Sequence, residues 1–197
     1  MRIVLTATTD ELAAAWTRFC GELPGVEVYR GSILDLKVDA VVSPANSFGF
    51  MDGGIDKAYS ARFPQIQSKL QASIRRDFDG ELLVGQAAQE ETGDPQIPYL
   101  IAAPTMRVPM VLKDSVNPYL AARAALRLAV RSMFTSVAFP GLGTGVGQVP
   151  VEVCARQMQE AIHEVIGRGW HFPVSWRHAQ HTHQLLYTNR VKDLQHG

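Results

Sequence analysis

The chain has only two cysteines, Cys20 and Cys154, and they lie far apart in the sequence. That scarcity excludes a small disulfide-stapled scaffold and leads to the expectation of a reduced, cytoplasmic protein. No stretch approaches the roughly 20 continuous apolar residues that a membrane span needs, and no signal-peptide pattern is recognisable. A membrane protein is not expected. Net charge is lacking too: 19 Lys plus Arg offset 19 Asp plus Glu, so no global field would hold a polyanion such as bulk nucleic acid. A small or locally recognised ligand is expected instead. Internal repeats, low-complexity segments and linkers are absent, and 197 residues with 46% hydrophobic content suit one globular domain over 1–197.

What is present is an alternation of apolar runs with helical patterns, which predicts an α/β fold with helices on both faces of a sheet. Arg2 to Ala7 reads as a buried strand. Thr9 or Asp10 can cap a helix through about Cys20, with Leu12, Ala13, Trp16 and Phe19 on one face and Gly21 just past its end. Val26 to Arg30 alternates as a strand does. Asp39 to Pro44, with the β-branched pair Val41-Val42, is expected to be a central strand. A helix is expected from about Ile55, breaking before Pro64 and resuming toward Asp77. Strands are expected near Leu82 to Glu90 and Tyr99 to Pro104, separated by the turn-forming run ETGDPQIP. Asn117-Pro118 reads as an N-cap and a first-turn proline opening a helix to about Met133. Ser136 to Pro140 is a further short strand, Pro150 to about Ile166 a helix, and His183 to Thr188 a last strand in the tail.

Two loops each follow a strand and precede a helix, the geometry in which open α/β sheets bind ligands. The first runs from Ser43 to Asp56 (SPANSFGFMDGGID) and the second from Pro140 to Pro150 (PGLGTGVGQVP), with Gly141, Gly143, Gly145 and Gly147 at alternate positions. Glycines let the backbone approach a ligand, and consecutive amides near a helix N-terminus suit a phosphate or diphosphate. Neither loop fits the P-loop or the dinucleotide fingerprint. Asn46 and Asp56 flank Gly53-Gly54, placing an amide and a carboxylate at the two ends of one loop. Such a pair can orient hydroxyls and deprotonate a water.

Across residues 31–166 the sequence resembles the macro domain family, on the strength of VDAVVSPANSFGFMDGGID and AFPGLGTGVGQVP. The resemblance implies a mixed six- or seven-stranded sheet between helices and a cleft for ADP-ribose or an ADP-ribosylated macromolecule. It implies that Asn46 contacts the distal ribose and that Asp56 activates water, as in the MacroD-type hydrolases. Gly53, Gly54 and Ile55 match one diphosphate loop, and Gly143, Thr144, Gly145 and Val146 the other. Ser32, Ile33, Ala45, Phe48, Pro140, Gly141, Leu142 and Gly147 complete the implied contacts, with no cofactor and no metal. The plainer reading of Asp56 is a carboxylate favoured by a helix N-terminus.

The chain also departs from the family pattern. Ser32 stands where an aspartate grips the adenine amino group, and its neutral hydrogen bond is weaker than a charged one. Asp52 replaces a glycine, and Gly147 stands where an aromatic residue packs on the distal ribose, a surface that Phe48 or Phe50 could supply. Ser60 occupies the place of the lysine nucleophile of the terminal ADP-ribose hydrolases and of the antitoxins that act on DNA, so a covalent route is disfavoured. Arg123, Arg127 and Arg131 form a basic stripe that reads as a solvated helix face. His171, His178, His181, His183 and His196 crowd the tail without a familiar zinc spacing. Hydrolysis of an ADP-ribosyl bond is the leading expectation. The alternatives are a non-catalytic ADP-ribose-binding module and an ADP-ribose 1''-phosphate phosphatase.

Overall fold

The computed structural model describes residues 1–44 and 46–194; Ala45 and His196, both named above, lie outside the described residues. The chain forms six strands, β1 (Arg2–Ala7), β2 (Val26–Arg30), β3 (Ala40–Ser43), β4 (Ala88–Asp94), β5 (Ile97–Ala102) and β6 (Ser136–Phe139). Six helices accompany them: α1 (Asp10–Cys20), α2 (Gly54–Arg62), α3 (Ile66–Asp77), α4 (Asn117–Arg131), α5 (Val151–Val165) and α6 (Trp176–Leu185). The sheet order is β2-β1-β6-β3-β5-β4, and only the β4–β5 pair is antiparallel. This is the mixed α/β sheet that the family resemblance implied, with six strands.

Side-chain alternation along the parallel strands builds two cores. Ile3, Leu5, Val42, Val137 and Phe139 face the layer that contains α1, α4 and α5. Val4, Val41, Leu100 and Ala138 face the layer of α2 and α3, where Tyr59, Phe63, Ile66, Leu70 and Ile74 pack. Thr9 caps α1 by accepting from the Leu12 N–H, and buried Trp16 donates its indole N–H to the Thr6 carbonyl at 3.0 Å. Cys20 and Cys154 are free and buried, and burial pushes both thiols up to about 12. Among the described residues no helix is long and apolar enough to cross a membrane.

Three expected elements differ. Residues 82–86 form a loop, not the start of a strand: the Leu82 N–H donates to the Ser47 carbonyl, Gln86 closes a turn on Leu83, and Gly85 has φ +95. The strand begins at Ala88 and runs on to Asp94, and β5 starts at Ile97, so only Pro95 and Gln96 of the run read as a turn form one; Thr92 donates its hydroxyl to the Ile97 carbonyl across the hairpin. Asn117 is not the cap of α4. Val116 holds that position, and the Asn117 amide instead donates to the Thr105 carbonyl at 2.8 Å. The tail strand expected at His183 to Thr188 does not form: His183 to Leu185 end α6 and Leu186-Tyr187 are a turn. Ser175 caps α6 by accepting from the His178 N–H, and the Gln184 amide closes its far end by bonding the Lys192 backbone at 2.7 and 2.9 Å.

Candidate functional site

The sheet order places β3 and β6 side by side, with Ala40 opposite Val137 and Val41 opposite Ala138. Both strands are parallel, so the loops leaving their carboxyl ends emerge next to each other. Together with the segment after β1 and residues around Thr105 they frame a cleft of about 460 Å³. This is where parallel sheets present helix N-termini and loop amides to ligands.

The glycines divide by what surrounds them. A Cβ at Gly53, Gly54 or Gly145 would meet no atom within 4 Å, so these positions open onto space. A Cβ at Gly147 would stand 2.5 Å from the Gly143 carbonyl oxygen, and one at Gly143 would press Val149 at 3.0 Å with φ at +71. Those two glycines serve the turn itself, which is closed by Val149 N–H to the Gly143 carbonyl and by Leu112 N–H to the Gly147 carbonyl. Residues 145 and 146 are thereby lifted outward.

Asp56 is the third residue of α2 and, among the described residues, the only buried carboxylate, at 9% exposure. Loss of hydration raises its pKa to about 6. The one side-chain hydrogen bond opposing that rise comes from Ser43, whose fully buried hydroxyl donates to Asp56 Oδ1 at 2.5 Å. A carboxylate poised near neutrality at a helix N-terminus can accept a proton from water. Ser43→Ala is expected to move the Asp56 midpoint upward, since the hydrogen bond lost is on the order of 1 kcal/mol of carboxylate stabilisation. A carboxyl carbon NMR titration reads it directly; an unmoved midpoint would show the bond to be without effect.

Ser32, Ile33, Asn46, Gly53, Gly54, Ile55, Asp56, Pro140, Gly141, Gly143, Thr144, Gly145, Val146 and Gly147 all line this cleft. Leu142 does not; it is fully buried in the core, while its backbone N–H faces the Cys154 sulfur. Phe48 also stands apart, its ring under the Arg107 guanidinium at 5.1 Å, where Arg107 is in turn paired with Glu81. Phe50 takes the cleft position instead. Asp52 is exposed and lies outside the lining. Ser60 can tie α2 to the preceding loop by donating its one hydroxyl proton to the Met51 carbonyl, with the Lys57 carbonyl of the same helix as the alternative acceptor. Ser32 caps a short 3₁₀ turn, Ile33–Asp35, by accepting from the Leu34 N–H.

Sequence reasoning missed Thr6, Thr8, Thr105, Met106 and Pro109, which also line the cleft. The first two follow from topology, because β1 is the parallel neighbour of β6; no local signal marks the others. The basic stripe is broken up: Arg123 pairs with Glu164 at 2.9 Å over the Tyr119 ring, leaving Arg127 and Arg131 in solvent. His178 and His183 make contacts local to the α6 region. Among the described residues no three His, Cys, Asp or Glu side chains gather as a metal-binding group.

The model of the Macro domain family matches residues 42–158. An uncharacterised protein of Aquifex aeolicus is 38% identical over 139 residues, which is 70% of this chain and 80% of that protein. The Oceanobacillus iheyensis macrodomain with ADP superposes with a TM-score of 0.62 at 20% identity, over 70% of this chain and 74% of its own. Thermosipho africanus DarTG in complex with ADP-ribose gives 0.58 at 13% identity, over 81% of this chain and 50% of its own. The chain belongs to the macro domain family.

Proposed function

We propose that the cleft binds ADP-ribose and that the chain hydrolyses an ADP-ribosyl bond. The observation that carries the reading is the pairing of two outward-opening glycine loops, at Gly53-Gly54 and Gly145, on either side of a cleft that also holds a buried carboxylate. The amides at those glycines suit a diphosphate, and Ser32 and Ile33 provide a surface for the base. That macrodomains of the same fold were obtained with ADP and with ADP-ribose supports the ligand class.

In this mechanism Asp56 takes a proton from water as the water oxygen bonds to the anomeric carbon. The bond to the acceptor breaks with its electron pair on the acceptor atom, which gains a proton from solvent. Free ADP-ribose and the unmodified acceptor result. Turnover should rise with pH through about 6, as Asp56 ionises. A second reading, binding without turnover, is favoured by the Asn46 amide, which is engaged with its own loop at Phe48 and Phe50. Calorimetric titration with ADP-ribose tests the ligand. Assays on ADP-ribosylated acidic-residue, arginine and DNA substrates, and on ADP-ribose 1''-phosphate, then test the reaction. Binding with no turnover on any of them selects the second reading; turnover of the phosphate alone selects a phosphatase.

Base recognition has its own test. Ser32→Asp keeps a residue suited to capping the 3₁₀ turn and adds a charged acceptor. ADP-ribose affinity is expected to tighten by about 1 kcal/mol, roughly fivefold. Weaker binding would place the adenine elsewhere.

A further inference from the structure

The charges of the chain sum to zero but are not evenly spread. None of residues 165–192 is Asp or Glu, while Arg168, Arg177, Arg190 and Lys192 are cationic. This stretch lies beyond residues 42–158, the span of the family match. It also carries Trp170, Phe172 and Trp176, which are 65%, 85% and 65% exposed. Hydrogen bonds fix the backbone around these rings: the Gly169 N–H donates to the His163 carbonyl at 3.0 Å, the Val174 N–H to His178 Nδ1 at 3.3 Å, and Ser175 caps α6. Holding large rings in water is unfavourable in proportion to their exposed area, and a partner that covers them removes that cost.

Trp170 and Phe172 line a groove of about 780 Å³ between α4, α5 and α6, which shares no lining residue with the cleft described above. Trp176 shares a face of α6 with Ala179 and His183, which also line the groove. The helices α4 and α5 supply Arg123, Arg127 and Arg156. Arg123 is committed to Glu164 and Arg156 donates to the Leu185 carbonyl at 3.2 Å, whereas Arg127 is exposed. With Glu164 held by Arg123 and by the Tyr119 hydroxyl, Glu160 is the one other carboxylate in the lining. Cations therefore prevail where flat rings are exposed. Rings alone would suit an apolar protein, and cations alone any polyanion; a single strand of nucleic acid uses both, through its bases and its phosphates. A duplex keeps its bases stacked inside, and a flat bilayer would leave a concave groove empty.

We propose that this groove docks a single strand of nucleic acid, with Trp170, Phe172 and Trp176 stacking on bases and Arg127, Arg168 and Arg177 meeting phosphates. DNA and RNA offer the same bases and phosphates to these groups, and the proposal stands independently of the ADP-ribose reading.

Fluorescence anisotropy of the full chain with short labelled oligo-dT and oligo-U strands tests it. Binding of either strand is expected, with quenching of tryptophan fluorescence, and a DNA duplex should bind at least about tenfold more weakly. Trp170→Ala with Phe172→Ala should weaken strand binding by about tenfold or more, and Tyr at both positions should restore most of it. Arg127→Glu should weaken binding and flatten its salt dependence by about one phosphate contact. All these side chains are exposed, so the thermal melt read by circular dichroism should not move. Binding of neither strand would overturn the proposal. So would equal binding of the duplex, no loss on removing the two rings, or capture by anionic lipid vesicles with no binding of either strand.

Discussion

If the proposed hydrolysis holds, Asp56→Asn is expected to lower turnover of the ADP-ribosyl substrate by about a hundredfold or more while leaving ADP-ribose affinity within a few-fold. The amide cannot take a proton from water, yet its oxygen can still accept from the Ser43 hydroxyl, so the local geometry is kept. The same change should stabilise the fold, and the sign follows from the titration. Burial holds the Asp56 pKa near 6, above its ordinary value of 3.8. Between those values the folded chain binds more protons than the unfolded one, so stability falls as pH rises through that window. Above about pH 6 the ionised group costs up to about 3 kcal/mol. A neutral asparagine removes that cost, so Tm should rise by several degrees at pH 7.5 and much less near pH 4. Unchanged turnover would remove Asp56 from the chemistry, and an equal Tm change at both pH values would show that ionisation is not the cause.

Gly145→Glu carries the other large effect. A Cβ at this position meets nothing within 4 Å, and its backbone is not in the left-handed region, so the fold should tolerate the side chain. The added carboxylate would sit beside the proposed diphosphate, where like charges about 4 Å apart repel by several kcal/mol at an effective dielectric near 20. Loss of ADP-ribose binding by at least about a hundredfold is expected by calorimetry, with the circular dichroism spectrum unchanged. Unaltered affinity in the folded variant would move the diphosphate away from this loop. Gly147→Ala provides the contrast, because its Cβ would clash with the Gly143 carbonyl and destabilise the turn itself.

Much of the architecture was legible in the order of residues. The apolar runs at Arg2–Ala7, Ala40–Ser43 and Ser136–Phe139 are short, β-rich and bounded by turn residues, and each is a strand. Local signals also placed α1, whose Thr9 cap and Gly21 end stand where expected. The failures share a cause. Leu82 to Gln86 has strand composition but no strand partner, its backbone being taken by Ser47 and its own turn. The Leu185–Thr188 run has strand-forming residues, yet Ser175 and Gln184 complete a helix before it can pair. Propensity is a weak prior, and the available hydrogen-bond partners override it.

The sequence by itself determined the two glycine loops, the flanking Asn46 and Asp56, and the alternation that makes the chain an α/β protein, because each depends on residues close together in the chain. Only the tertiary structure decided that β6 inserts between β1 and β3, which sets loops about a hundred residues apart against one cleft. It also decided which glycines open outward, that Phe50 and not Phe48 lines the cleft, and that Ser43 lies against Asp56. These depend on what stands across a gap in space, on an exclusion distance of a few ångströms or the burial of a single carboxylate. Residue order does not encode such distances until the sheet has brought its strands together.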